Sequence, residues 1–281
     1  MVVNQVFDQK RLQSLKNTGI FCDSFGFIRL YGRSSMVAIV LVGGKRSLIN
    51  DYPYLPDPLI PVAGEAFLYW VTQWLKTLGF NHIVYSAGHH AEKVTAWAQH
   101  LASQDHSLCL DVVSEVRPLG TAGATALCAN RFPSSYTFVV NGNSILLADL
   151  KPVIQKFKST KELDAIILGT SVNNAGRFGK LEIDNNQRLI SFKEKHPGNG
   201  LINAGIYLLR NELLSSIITN KETSFENECF PTWVNEGKHI SVVDSKATFI
   251  DIGTPESLKR AQELIVEYQD IILGYQDPMV A

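Results

Sequence analysis

Val37 to Val42 is an unbroken apolar run, mostly β-branched, that stops at Gly43-Gly44. A strand with one wet face alternates polar and apolar residues, so a run without polar positions fits a strand covered on both faces, as in a parallel sheet flanked by helices. A loop rich in Pro and polar residues follows. From Gly64 onward Phe67, Trp70, Val71, Trp74, Leu75 and Leu78 recur on one helical stripe, and Gly79 supplies the stop. Ile83 to Ser86 reads as the next strand, Ala91 to Leu101 as the next helix, and Phe138 to Val140 as another buried strand meeting the turn Asn141-Gly142. Strand-helix-strand order predicts a layered α/β sheet.

Beyond Lys151 the period becomes mixed. Ala165 to Leu168, Leu181 to Ile183, Ile206 to Leu209 and Ile240 to Val243 read as strands, with turns at Gly176-Arg177 and Asp184-Asn185-Asn186, so a hairpin-rich half is expected after the first. Thr254-Pro255-Glu256 combines an N-cap hydroxyl, a Pro at the first helical position and an acid in the first turn. Leu258, Ala261, Leu264, Ile265 and Tyr268 follow, which predicts a closing amphipathic helix over about 254–270. Residues 1–35 stand apart as an added arm: Phe21, Phe25, Phe27 and Tyr31 show no clear period, yet their aromatic content predicts packing on the main domain or on a second subunit.

Composition narrows the class. Hydrophobic residues are 45 % and charged residues 19 % of 281, and Lys+Arg 26 nearly cancels Asp+Glu 27, which suits a soluble globular chain and excludes a long disordered one. A net charge of −1 predicts neither a nucleic-acid nor a membrane partner. The run from Met36 to Val42 is far short of the roughly 20 residues a spanning helix needs, and no basic-apolar-small arrangement marks a secretory signal, so the cytoplasm is the expected compartment. Cys22, Cys109, Cys128 and Cys229 are widely spaced, without a Cys-x-x-Cys pair, and are expected as reduced, mostly buried thiols.

Ligands of such sheets bind at the carboxyl ends of strands. Gly43-Gly44-Lys45-Arg46 offers close backbone approach and two cations, or a tight turn with solvated charges. Pro118-Leu119-Gly120-Thr121-Ala122-Gly123-Ala124 opens a helix with small residues, which suits either a flat base or close helix-on-sheet packing. Asn141-Gly142-Asn143-Ser144 and Asp251 sit at strand ends, where oxygen donors can hold Mg²⁺, or where Asp251 can serve the Thr254 helix start. Phe192-Lys193-Glu194-Lys195, followed by Asn203-Ala204-Gly205, can meet a phosphate and sugar hydroxyls, or form a solvated charge run.

Taken in order, these motifs resemble the sugar-1-phosphate nucleotidyltransferases from about Met36 to Glu267, and within them the short guanylyltransferases for heptose or mannose 1-phosphate. The resemblance implies a Rossmann-like layered mixed sheet with helices on both faces, a nucleotide half at about 36–150 and a hairpin-rich sugar half at about 151–250 of a domain spanning 36–281. It implies in-line attack of the sugar's anomeric phosphate on the α-phosphorus of a nucleoside triphosphate, with loss of pyrophosphate. By resemblance Gly43, Gly44, Gly120, Thr121 and Gly123 contact the nucleotide, Gly179, Glu194 and Asn203 the sugar, and Lys195 the sugar phosphate. Mg²⁺ falls to Asp251 and Asn143.

The departures gather at the reacting phosphates. The family's Gly-Thr-Arg-Leu loop is Lys45-Arg46-Ser47-Leu48 here, about one residue shorter, with Lys45 and Arg46 placed where the loop arginine acts. Pro-Lys-Pro becomes Pro56-Asp57-Pro58, and the first metal carboxylate becomes Asn143, which implies a weakened Mg²⁺ site and triphosphate grip. Two readings follow: an enzyme, slow where those losses tell, or a silent relative serving as a sensor or as the regulatory subunit of an active paralogue. A homo-oligomer is compatible with both.

Overall fold

The computed structural model describes residues 20–22, 28–30, 37–44, 52–193 and 197–275. Lys45, Arg46, Glu194 and Lys195 lie outside them, as does most of the arm. Within the arm, β1 (Ile20–Cys22) and β2 (Ile28–Leu30) form an antiparallel pair. The main sheet begins at β3 (Val37–Leu41). A 3-10 turn at Asp57–Leu59 and the ladder of β4 (Pro61–Val62) with β5 (Glu65–Ala66) lead into α1 (Phe67–Thr77). Then come β6 (His82–Ala87), α2 (Ala91–Gln104), β7 (Cys109–Ser114), α3 (Gly120–Arg131), β8 (Tyr136–Asn141) and β9 (Ser144–Leu146). The second half holds α4 (Lys151–Ser159), β10 (Ala165–Val172), β11 (Lys180–Ile183), β12 (Leu189–Lys193) and β13 (Gly200–Arg210). It ends with α5 (Asn211–Ser215), α6 (Phe230–Asn235), β14 (Ile240–Asp244), β15 (Phe249–Asp251) and α7 (Pro255–Ile272).

β3 is central, with parallel β6 then β7 on one side and parallel β8 on the other. Numbered from β3, the chain order across these four strands is 3-2-1-4, the doubly wound order in which crossovers reverse between the first and fourth strands. Antiparallel β13 continues the sheet from β8, and β10 and β14 follow it, while the β11–β12 hairpin joins β13. The α/β expectation holds, and the antiparallel strands of the main sheet come from the second half.

The apolar run of β3 is buried for the reason its sequence implies. Ala38, Val40 and Val42 face α1 and α7 through Phe67, Val71, Leu75 and Ile265, while Val37 and Ile39 face α3 and α6 through Ala122, Cys128 and Phe230. Each such Val or Ile contributes about 1.5–3 kcal/mol on burial. α7 starts as read: Thr254 Oγ1 accepts from Ser257 N at 3.2 Å and Thr254 N donates to Ser257 Oγ at 3.0 Å, a reciprocal cap worth about 1 kcal/mol.

The pattern missed β7 and α4. Asp111 interrupts the apolar signal of β7 yet is buried, because His82 of the adjacent strand lies 3.0 Å away. β13 runs to Arg210 from Gly200, well beyond the expected Ile206 to Leu209. Cys109, Cys128 and Cys229 are buried and not in disulfides, and among the described residues no helix is long and apolar enough to cross a membrane.

Candidate active site

The crevice at the carboxyl ends of β3 and β8 is a cleft of about 390 Å³. Leu41 to Gly44 form one wall, Asn141 and Asn143 a second, and Pro118, Gly120, Thr121 and Ala124 of the α3 start a third. Backbone packing shapes it. A Cβ on Gly43 would stand 2.6 Å from Glu115 Oε1, so only glycine lets the end of β3 pass this carboxylate undisturbed. Gly120 has φ +70°, and a Cβ there would lie 2.5 Å from the Thr223 carbonyl oxygen. That carbonyl accepts from Ala122 N at 2.9 Å and Gly123 N at 3.3 Å, while Thr223 N donates to Leu119 O at 2.7 Å. The 221–223 segment thus caps part of the helix start and leaves its Gly120-Thr121 end to the cleft, where α3's partial positive charge favours an anion.

Of the nucleotide residues expected from sequence, Gly43, Gly44, Gly120 and Thr121 line this cleft. Gly123 packs instead against the Lys221 carbonyl, 3.0 Å from where its Cβ would be. The Thr121 hydroxyl is engaged on the protein side, donating to Glu226 Oε2 at 2.8 Å and accepting from Phe225 N at 2.9 Å. Asn203 belongs to the same network: its Nδ2 donates to Tyr207 Oη at 2.6 Å, and that hydroxyl donates to Glu226 Oε1 at 3.0 Å. Gly179 is tied to Asn203 through its carbonyl, which accepts Asn203 N at 2.8 Å. A continuous chain of hydrogen bonds therefore joins the start of α3 to the β11–β13 side.

The metal candidates meet through backbone but open onto different hollows. Asp251 pairs with Ser144 across β15 and β9, and Ile252 N donates to Asn143 O at 3.1 Å. Asn143 lines the nucleotide cleft; Asp251 lines a neighbouring cleft of about 610 Å³ with Arg177, Glu256 and Arg260. Arg177 Nη2 donates to Asp251 Oδ2 at 2.6 Å and its Nη1 to Thr254 Oγ1 at 2.7 Å. One carboxylate and one amide oxygen at a shared strand junction suit Mg²⁺, which takes most of its remaining ligands from phosphate and water, but the guanidinium competes for that carboxylate.

Sequence reasoning had not assigned Arg177, Glu115 or Glu222 to the site. Glu115, Glu222 and Asp57 all line the nucleotide cleft, and its described lining includes no Lys or Arg. Burial, with Glu222 adding to it, raises the Glu115 carboxyl above its ordinary range, against bonds from Leu119 N at 3.0 Å and Ser86 Oγ at 3.3 Å. Glu115 stands just before the α3 start, so an acid preceding a small-residue helix opening was the available signal. Glu222 reaches the cleft from a distant loop and left none.

A doubly wound sheet with a hollow at its switch point, walled by Gly43, Gly44 and Gly120, has the architecture in which α/β proteins place their ligand sites. Comparison with known proteins narrows this class. A sequence model of the nucleotidyl transferase family matches residues 37–267, and the chain belongs to that family. The D-glycero-alpha-D-manno-heptose 1-phosphate guanylyltransferase of Aneurinibacillus thermoaerophilus is 27 % identical over 238 residues, covering 83 % of this chain and 100 % of that protein. The mannose-1-phosphate guanylyltransferase of Mycobacterium tuberculosis is 29 % identical over 82 % of this chain, which spans only 64 % of that longer relative. HddC from Yersinia pseudotuberculosis, solved with GMP-PN, superposes with a TM-score of 0.70 at 27 % identity, covering 82 % of this chain and 99 % of HddC.

Proposed function

We propose that this chain is a sugar-1-phosphate guanylyltransferase, joining GTP to a heptose- or mannose-type 1-phosphate with release of pyrophosphate. The observation that carries this reading is the cleft between β3 and β8, with the α3 start and Gly43-Gly44 on its walls. Its relatives' substrates support the choice of base and sugar. The sugar phosphate oxygen forms a bond to the α-phosphorus as the bond to the bridging oxygen of pyrophosphate breaks. Protein groups contribute by holding the two in line and by placing positive potential near the transferred group.

In this reading the open end of α3 faces a phosphate, and the Asn203–Tyr207–Glu226–Thr121 chain fixes the sugar side relative to the nucleotide side. Lys45, Arg46 and Lys195 supply cations to the phosphates, and Glu194, Gly179 and Asn203 meet the sugar. Mg²⁺, held by Asp251 with Asn143, would neutralise charge on the triphosphate. Pyrophosphate release with Mg²⁺, each nucleoside triphosphate and a panel of hexose and heptose 1-phosphates is the test. Turnover with GTP that is lost on Lys195→Ala supports the enzyme; no turnover with any pair defeats it.

The acidic lining favours one alternative. With Asp57, Glu115 and Glu222 around the cleft, and Arg177 on Asp251, the chain can bind ligand without reacting and act beside an active paralogue. Nucleotide or sugar-phosphate binding by calorimetry without pyrophosphate release identifies that case.

A further inference from the structure

Asn203 and Tyr207 lie four residues apart on β13, a separation of about 13 Å along a straight strand, yet Asn203 Nδ2 reaches Tyr207 Oη at 2.6 Å. A bulge in β13 shortens the span. Register with β10 passes from Ile206 opposite Leu168 to Asn203 opposite Gly169, which leaves Ala204 and Gly205 unmatched. Gly205 takes φ +71°, its N–H donates to Asn203 Oδ1 at 2.9 Å, and a Cβ on it would overlap Asn141 at the nucleotide cleft. The bonds that continue from Tyr207 have only one direction. A carboxylate accepts and cannot donate, so the hydroxyls of Tyr207, Thr121 and Ser224 direct their single protons at Glu226, at 3.0, 2.8 and 2.6 Å. Tyr207 must then accept from Asn203, and Thr121 accepts from Phe225 N at 2.9 Å. The Tyr207 ring is fully buried against Phe225 and Phe230, with ring centres 5.4 and 5.3 Å away, which fixes its hydroxyl in place.

We propose that Tyr207 and Glu226 are positioning residues that couple the two substrate subsites, so that nucleotide and sugar 1-phosphate each bind more tightly when the other is present. This coupling rests on the guanylyltransferase reading and adds to it the route between its subsites. Neither residue needs to touch a ligand. Beyond the bonds above, Asn203 has an Nδ2 hydrogen and an Oδ1 lone pair to offer sugar hydroxyls, and Thr121 has an oxygen lone pair to offer the nucleotide. Because each hydroxyl proton is committed, a shift of Asn203 on a sugar cannot be absorbed by reversing one bond. It passes through Tyr207 and Glu226 to Thr121. A ligand that orders one end therefore bears the entropy cost of ordering the shared chain, and the second ligand meets that chain already ordered. The charge on Glu226 strengthens all three hydroxyl bonds, which keeps the chain a single unit. Gly205 against Asn141 gives the bulge a second, steric contact with the nucleotide cleft.

Calorimetric titration of the full chain with Mg²⁺ reads the coupling as a ratio of dissociation constants. The constant for α,β-methylene-GTP is measured without and with a saturating sugar 1-phosphate, mannose first and D-glycero-α-D-manno-heptose second. For the parent that ratio should be at least about fivefold, and the same when the ligands exchange roles. Tyr207→Phe keeps the ring against Phe225 and Phe230 but removes the relay, and its ratio should fall below about twofold. Glu226→Gln has a single acceptor oxygen for the three hydroxyls and should lower the ratio likewise, so the test stands even where Tyr207→Phe fails to fold. A merely structural loss weakens each ligand alone and leaves the ratio. Thr137→Val, which removes a buried hydroxyl bonded to Asn211 Oδ1 at 2.7 Å outside the chain, should therefore retain the parent's ratio. A ratio in either folded variant equal to the parent's, or a parent in which neither ligand affects the other, overturns the coupling while leaving two working subsites. A parent that binds no GTP analogue, or neither sugar phosphate, defeats the guanylyltransferase reading itself.

Discussion

Replacing Arg177 by alanine is expected to tighten divalent-cation binding at Asp251 about fivefold, a difference of about 1 kcal/mol. Arg177 Nη2 lies 2.6 Å from Asp251 Oδ2, so a cation approaching that carboxylate must compete with a guanidinium already on it. Hydrogen bonds to charged groups are worth about 1.5–3 kcal/mol. The Arg177 side chain is 41 % exposed and that of Asp251 18 %, however, and solvent screening of exposed pairs brings the figure toward about 1 kcal/mol. At about 1.4 kcal/mol per decade, that difference gives the fivefold change. Arg177→Lys keeps the charge but loses the planar fork and should fall between the two. Calorimetric titration with Mn²⁺ or Mg²⁺, without nucleotide and at fixed ionic strength, reads the effect, with Asp251→Asn as the variant that abolishes it. Metal binding unchanged or weakened in Arg177→Ala would refute the idea that the arginine holds the carboxylate against the ion.

Gly120→Ala combines a left-handed backbone costing about 1–2 kcal/mol with overlap against a carbonyl costing about 1–3 kcal/mol, so urea unfolding should show a loss of about 2–5 kcal/mol. Gly43→Ala meets the movable tip of the Glu115 side chain and, at 3.3 Å, the Gly88 backbone nitrogen, so its stability loss should be about 1 kcal/mol while nucleotide affinity falls; equal stability losses at the two glycines would contradict this account. Glu115 has a raised pKa in the folded chain, which therefore holds its proton more tightly than the unfolded chain does. Stability then falls as pH rises from the unfolded value through the raised one and levels off above it. Glu115→Gln should gain stability over the parent through that acid window, and melts showing an advantage that shrinks with rising pH would count against the assignment. Asp57→Lys with Asn143→Asp reverses one charge in the cleft and adds a metal carboxylate, so GTP should bind at least tenfold tighter with Mg²⁺ by calorimetry, and unaltered binding would remove the acidic lining as the limiting feature.

Local patterns dictated the parts of this protein whose information lies within a few residues. An apolar run ended by two glycines forces a doubly covered strand at Val37–Leu41, a 3.6-residue stripe places α1, and a hydroxyl-Pro-acid start places α7, because each depends on periodicity or capping that neighbours alone decide. Motif order along the chain was sufficient to identify the resemblance to nucleotidyltransferases. Other features exist only after distant segments meet. Thr223 caps a helix begun 103 residues earlier, Arg177 finds Asp251 across 74 residues, and Asp111 enters the interior because His82 stands in the adjoining strand. Burial and charge pairing are properties of space rather than of chain distance, so no window of sequence encodes them. Tertiary packing alone therefore decided that Asn143 and Asp251 open onto different clefts, and that the Gly123 backbone serves packing beside a cleft lined by Gly120 and Thr121.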